Sequence, residues 1–233
     1  MDILVVGAGR GLGLGLAHHY ANKGRLWMTS FSSLPPESLG TIFRLDLREE
    51  NQFLQVLQKL KTENVTLDLV FFVGAKTPRF LVPEAGVEFG AGLAPETFAD
   101  YFAVNSIGPL RFFELLFLAG LLGQNSKVIF FSSIAGSIEM RGRLAHNQRG
   151  GNLAYRLSKA ALNCGVKNLA YDIGEKGPIV VCVHPGWVRT QSGGQNADTD
   201  VTPAVARIGD VVESIGPSDH GRFLNAEGGV ISW

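Results

Sequence analysis

The sequence predicts one α/β domain spanning residues 1–233, a doubly wound parallel sheet of about seven strands in a three-layer α/β/α arrangement. Three observations carry this expectation. Short apolar runs recur without polar alternation, as in strands buried on both faces. Amphipathic stretches of helical length separate them, the order a parallel sheet requires. The 233 residues hold no Pro- or Ser-rich linker and no repeat, a length that suits one large domain.

Taken in order, the apolar runs are Ile3–Val6, Leu26–Met28, a short Thr41–Leu45, Leu67–Val73, Lys127–Phe131, Ile179–Val183 and Val230–Ile231. The helical patterns between them are Leu12–Asn22, Glu49–Leu60, Pro95–Leu122, Leu153–Ile173 and Pro203–Ile215. In such sheets ligands sit beyond the carboxyl ends of the strands. The residues that follow each strand therefore carry the functional reading.

Composition removes several classes first. Lys plus Arg and Asp plus Glu are 21 each, so charge argues for neither nucleic acid nor an anionic membrane as partner. The two cysteines, Cys164 and Cys182, fall within expected core elements and read as small buried hydrophobes of a reducing compartment. The chain opens directly into a strand without a leader-like segment, and its most apolar stretch, Phe112–Leu122, is about half a membrane span and holds Glu114. A cytoplasmic protein is the expectation.

After the first run comes Gly7-Ala8-Gly9-Arg10-Gly11-Leu12-Gly13. Glycines there allow a tight turn and close backbone approach to a pyrophosphate, and the helix that follows offers free N–H groups and a positive dipole end. The end of the second strand reads Thr29-Ser30-Phe31-Ser32-Ser33, with no carboxylate for a free ribose 2′-hydroxyl. Hydroxyls with Arg10 nearby suit a 2′-phosphate, so NADP(H) is favoured over NAD(H). Asp46, beside Leu47, is placed either to meet an adenine amino group or to cap the next helix.

The fifth strand ends in Ser132-Ser133. Tyr155 and Lys159 stand four apart in a helical pattern and so share a face. A free phenol titrates near ~10, and a neighbouring ammonium lowers that value. Tyr155 is thereby a candidate acid for a carbonyl oxygen that Ser133 also polarises.

With these motifs in family order, the chain resembles the short-chain dehydrogenase/reductase family over essentially its whole length. Gly7–Gly13 is similar to its GxxxGxG turn and Phe102-Ala103-Val104-Asn105 to its helix asparagine motif. Ser132-Ser133-Ile134-Ala135-Gly136 is similar to its serine strand end, Tyr155–Lys159 to its YxxxK motif, and Pro185-Gly186-Trp187-Val188-Arg189-Thr190 to its cofactor turn. Within the family, Ala154–Asn163 looks most like the carbonyl-reductase and C-factor-like branch. The resemblance implies a Rossmann fold and a catalytic set of Asn105, Ser133, Tyr155 and Lys159. It also implies that Lys159 holds the nicotinamide ribose and that Pro185, Gly186, Val188 and Thr190 lie near the nicotinamide. Relatives pair through the two long helices, so a homodimer or homotetramer is implied. Asn105 has a physical reading too: Pro109, four residues on, cannot donate to its carbonyl, which is left to hold a proton-relay water.

The chain departs from the pattern in three places. Val6 replaces a threonine before the glycine turn. The family's Asn-Asn-Ala-Gly is Phe72-Val73-Gly74-Ala75, keeping small residues near the adenine ribose but losing a bridging asparagine. Ser133 and Tyr155 are unusually far apart, and the intervening loop at 137–152 carries Met140, Arg141, Arg143, His146 and Arg149. That loop and the segment at 187–203, within which Ser192–Thr202 reads as a mobile lid, are expected to border the substrate. Trp187 reads either as a wall of an apolar pocket or as a core-edge aromatic. His184 has no partner at ligand spacing, and no metal site is expected. His18-His19 is expected at the surface. The function expected is NADP(H)-dependent interconversion of a small-molecule carbonyl and alcohol; the alternative is a non-catalytic NADP(H)-binding regulator.

Overall fold

A computed structural model describes residues 1–77, 94–143 and 152–233. Seven strands form one sheet in the order β3-β2-β1-β4-β5-β6-β7. They are β1 (Asp2–Val6), β2 (Arg25–Ser30), β3 (Thr41–Arg44), β4 (Leu67–Phe72), β5 (Leu122–Phe131), β6 (Ile179–His184) and β7 (Phe223–Asn225). Every pairing is parallel. The helices are α1 (Gly11–Tyr20), α2 (Glu50–Thr62), α3 (Pro95–Phe102), α4 (Gly108–Leu118), α5 (Leu153–Ile173) and α6 (Val201–Ser214). The doubly wound sheet is as expected.

The unbroken apolar runs have a direct cause. Leu4 and Val6 join a core with α2, α4 and α5, whereas Ile3 and Val5 join a second core with α1 and α6. The middle of β1 thus faces two helical layers, which leaves no position there for a polar side chain. On the α2/α4/α5 side, Phe72 and Phe130 stack at 4.7 Å and Phe53 and Phe112 at 4.8 Å.

Two elements differ from the reading by sequence. The last strand is Phe223–Asn225 and not Val230–Ile231; Val230 makes only an isolated antiparallel bridge to Leu224. The run at 230–231 is apolar because Ile231 folds back onto the core, a placement that local composition does not separate from a strand. The expected helix Pro95–Leu122 is divided. A π-helical segment, Ala103–Ile107, joins α3 to α4, with Pro109 in the first turn of α4. The chain then turns at Gly120, φ +70°, and Leu122 already belongs to β5. The proline that cannot donate within a regular helix accounts for the wider turn. A further correction concerns Cys164, which is exposed on α5, whereas Cys182 is buried as expected.

Candidate functional site

Beyond the carboxyl ends of the strands lies a cleft of about 1300 Å³. Every residue expected near a cofactor borders it: Gly7, Gly9, Arg10, Gly11, Leu12 and Gly13; Ser30, Asp46 and Leu47; Val73, Gly74 and Ala75; and Pro185, Gly186, Val188 and Thr190. Ser133, Tyr155 and Lys159 line it too. Asn105 stands behind them, 1% exposed.

The glycine turn is built by close approach. Gly7 has φ +96°, and a Cβ there would lie 2.5 Å from Gly74 Cα. The β1 and β4 turns touch backbone to backbone, so Gly74 does the packing that matters in the altered Phe72–Ala75 motif. In place of the bridging asparagine, the amides of Val73 and Gly74 both donate to the carbonyl of Val6. Helix α1 then begins with no side-chain cap and no acid in its first turn. Its uncapped amides face the cleft through Gly11 and Leu12, which fits an anionic group bound there.

The end of β2 is less open than its hydroxyls suggest. Ser30 is buried and donates to the Ser33 carbonyl at 2.5 Å, and Ser33 Oγ donates to Gly9 O at 3.1 Å. Arg10 remains exposed on the rim. Asp46 accepts from the amide and guanidinium of Arg48 (3.0 and 2.7 Å), which holds its carboxyl below the usual range. It therefore closes the turn ahead of α2, whose N-cap is Glu49. Arg48, which the sequence reading passed over, also reaches Asp100 at 3.0 Å and lines the cleft.

The other end gathers the acid–base candidates. Ser133 starts a short 3₁₀ turn, Ile134–Gly136, and accepts from Ala135 N. A Cβ on Gly136 would sit 2.7–2.8 Å from Lys159 C and Cβ, so the turn rests directly on α5. That contact brings Ser133 into hydrogen-bonding reach of Tyr155 despite the long intervening loop, and the bond favours the phenolate. Burial acts the other way and leaves the Tyr155 phenol above its ordinary value; the charge of Arg156 also pulls it down. Lys159 lies 6.0 Å from the Tyr155 ring centre and donates to Phe131 O at 2.8 Å. Its own burial lowers it to about 8. The expected depression of Tyr155 by Lys159 is thus absent from the balance. Geometry explains this: the ammonium is turned toward the end of β5.

Asn105 is locked from three sides. Its Oδ1 accepts from Lys76 N at 2.7 Å, and its Nδ2 donates to Lys76 O at 2.9 Å and to Ser158 Oγ at 3.0 Å. Ser158 in turn donates to Tyr155 O. Ser158 was not singled out from the sequence, although it sits inside the Tyr155–Lys159 motif.

The bordering loops are partly ordered by their own bonds. Arg189 donates to Gln195 O and Ala197 O and pairs with Asp200 at 2.6 Å. Val188 bridges Thr199, and Trp187 donates to Gly193 O. Arg189 thus joins three points of the segment expected to form a lid. Trp187 is 38% exposed and lines the cleft, a wall and not a core-edge residue. In the 137–152 loop, Ser137 Oγ donates to Ser232 O and Trp233 O, and Arg143 pairs with Glu139; His146 and Arg149 lie outside the described residues. Among the described residues no cluster could hold a metal, and no helix is long and apolar enough to cross a membrane.

A family model of short chain dehydrogenases matches residues 2–200. C-signal of Myxococcus xanthus is 34% identical over 66% of this chain and 91% of its own. The 1-hydroxy-2-glutathionyl-2-methyl-3-butene dehydrogenase of Rhodococcus sp. is 26% identical over 99% of both chains. Among solved structures, the carbonyl reductase Sniffer of D. melanogaster superposes with a TM-score of 0.82 at 26% identity, covering 100% of this chain and 99% of that one. The NADPH-bound carbonyl reductase from chicken fatty liver gives 0.82 at 26%, covering 100% and 98%. With the all-parallel seven-stranded sheet and a family match running from the first strand through the cleft, the chain belongs to the short-chain dehydrogenase/reductase family of oxidoreductases.

Proposed function

We propose that this protein is an NADP(H)-dependent reductase that interconverts a small-molecule carbonyl with its alcohol. The observation that carries this reading is the pairing of Tyr155 and Ser133 across the cleft, one helical turn from a buried Lys159. The bound nicotinamide supplies the hydride that reaches the carbonyl carbon. Ser133 polarises the carbonyl oxygen, and Tyr155 delivers its proton to that oxygen as the alcohol forms. Lys159 holds the nicotinamide ribose and, when its ammonium turns from Phe131 O toward Tyr155, stabilises the phenolate left behind. Asn105 orders the water that returns a proton from solvent. The backbone of Gly186 and Val188 and the hydroxyl of Thr190 would hold the nicotinamide, and Leu12 with the α1 amides would hold the pyrophosphate. Asp46, Leu47, Val73 and Ala75 would enclose the adenosine. A chicken-liver relative carries NADPH. Here the preference for the 2′-phosphate follows from an exposed Arg10 beside a β2 end without a carboxylate.

Tyr155→Phe should lower kcat for aldehyde reduction by about 10²- to 10⁴-fold while NADPH still binds, read from nicotinamide absorbance and fluorescence. Undiminished turnover would overturn the assignment. NADPH binding without turnover of any aldehyde or ketone by the wild-type protein would make it a dinucleotide-binding regulator instead. Arg10→Gln should narrow the NADPH over NADH preference by about tenfold, the loss of one charge-assisted contact. The reading includes a cytoplasmic homodimer or homotetramer, assembled through the outer faces of α4 and α5.

A further inference from the structure

Resting on the carbonyl-reducing reading above, we propose that Asn163 is a positioning residue, which through Ser132 sets the distance between Ser133 and Tyr155. Asn163 stands one helical turn beyond Lys159 on α5, as Lys159 stands one turn beyond Tyr155, so the three form a row along the helix. Each ties that row to one of three consecutive residues at the end of β5. Tyr155 bonds Ser133, Lys159 donates to Phe131 O at 2.8 Å, and Asn163 Oδ1 accepts from Ser132 Oγ at 2.5 Å.

The three ties are not equivalent. Tyr155 and Ser133 act on the substrate, and Lys159 leaves Phe131 O when its ammonium turns to the phenolate. The bond between Asn163 and Ser132 takes no part in the chemistry and holds α5 to β5 while the other two change. Both side chains are buried, where water does not compete for the bond. The anchor on the sheet side is firm, because Ser132 N donates to Val183 O in β6. Ser133 follows directly and starts the turn that rests on α5, so a shift of Ser132 against α5 reaches the Ser133 hydroxyl across one residue. Asn163 is also costly to keep: its Nδ2 is buried and has no hydrogen-bond partner among the described residues. A leucine of similar shape would avoid that cost, so stability is not what the asparagine supplies.

The experiment uses the full chain with NADPH and benzaldehyde, and with NADP and benzyl alcohol for the reverse direction. Asn163→Leu and Ser132→Ala should each lower kcat by about 10- to 100-fold, the effect of a small misplacement, with little change in KM or NADPH affinity. The double variant should lose no more than either single one, because both remove the same tie. In urea it should be at least as stable as wild type. Ser132→Thr, which keeps the hydroxyl, should retain more activity than Ser132→Ala. The bond from Ser133 favours the Tyr155 phenolate, so loosening it should move the rise of alcohol oxidation to higher pH. Unchanged kcat in both single variants overturns the proposal. So do losses in kcat that add in the double variant, or that are matched by equal losses of stability and NADPH affinity, which would make the pair a packing contact. If wild type turns over neither compound, the reductase reading fails. The positioning of Tyr155 is then read by ultraviolet titration of its phenol, as the difference from Tyr155→Phe, and an unshifted titration in Asn163→Leu sinks it.

Discussion

Lys159 shows how a single residue ties stability to chemistry. It is 3% exposed, and burial brings its ammonium from 10.5 to about 8. The depressed value means that the unfolded chain holds the proton more tightly than the native one. Native stability from this group is therefore greatest above pH 10.5, falls as pH drops from 10.5 to about 8, and is constant below that. At neutral pH the mostly charged side chain destabilises the fold by on the order of 3 kcal/mol, partly offset by its bond to Phe131 O. Lys159→Met should therefore be more stable than wild type in urea at pH 7, with the gap narrowing toward pH 10. A gap that widens with pH would contradict this. The residue is retained at a stability cost, as expected of a group that serves the cleft. Gly136 illustrates the converse. Gly136→Ala introduces a Cβ 2.7 Å from the α5 backbone, so the turn must shift and carry Ser133 with it. A loss of about 1–3 kcal/mol and a fall in kcat larger than any change in NADPH affinity are expected from chemical melts and kinetics. Equal stability would show that the turn has slack.

At the scale of elements, the helix α3–α4 carries the largest difference between sequence and structure. Its apolar pattern runs on without interruption, and periodicity alone gave one helix to Leu122. Pro109 and the contact of Gly108 with Leu47, where a Cβ would meet the carbonyl at 2.2 Å, were legible only as isolated residues. Their joint effect, a π segment that swings Asn105 against Lys76 and Ser158, needs the neighbours in place. The 137–140 segment depends likewise on distant chain. Trp233 stacks on Phe223 at 5.5 Å, and its carbonyl accepts from Ser137 and from Glu139 N. Trp233→Ala should cost about 2 kcal/mol and, if the loop proposed to border the substrate loosens, raise KM for the carbonyl more than it changes kcat. A change confined to NADPH binding would sink this link.

For the whole molecule, the π-helical segment and α4 leave Ile107 and Leu118 exposed at 61% and 71%, at the helices proposed to pair two copies. Sedimentation should give at least twice the chain mass, and Ile107→Arg should reduce it; a monomeric wild type would contradict the proposal. The fold class and the grouping of candidate residues were legible in the sequence because both follow local rules. Strands buried on two faces must be apolar at every position, and a parallel sheet must place the residue after each strand on one edge. Gly7–Gly13 and Ser133 could therefore be placed together on that edge, whereas Tyr155 and Lys159, which lie on a helix, joined them through the family resemblance. What only the tertiary structure decided was orientation. Lys159 points to Phe131 O, Asp46 is occupied by Arg48, Ser30 is closed by Ser33, and Ser132 meets Asn163. Each of these depends on which of several partners is nearest across elements far apart in the chain, and a linear pattern carries no information about that distance.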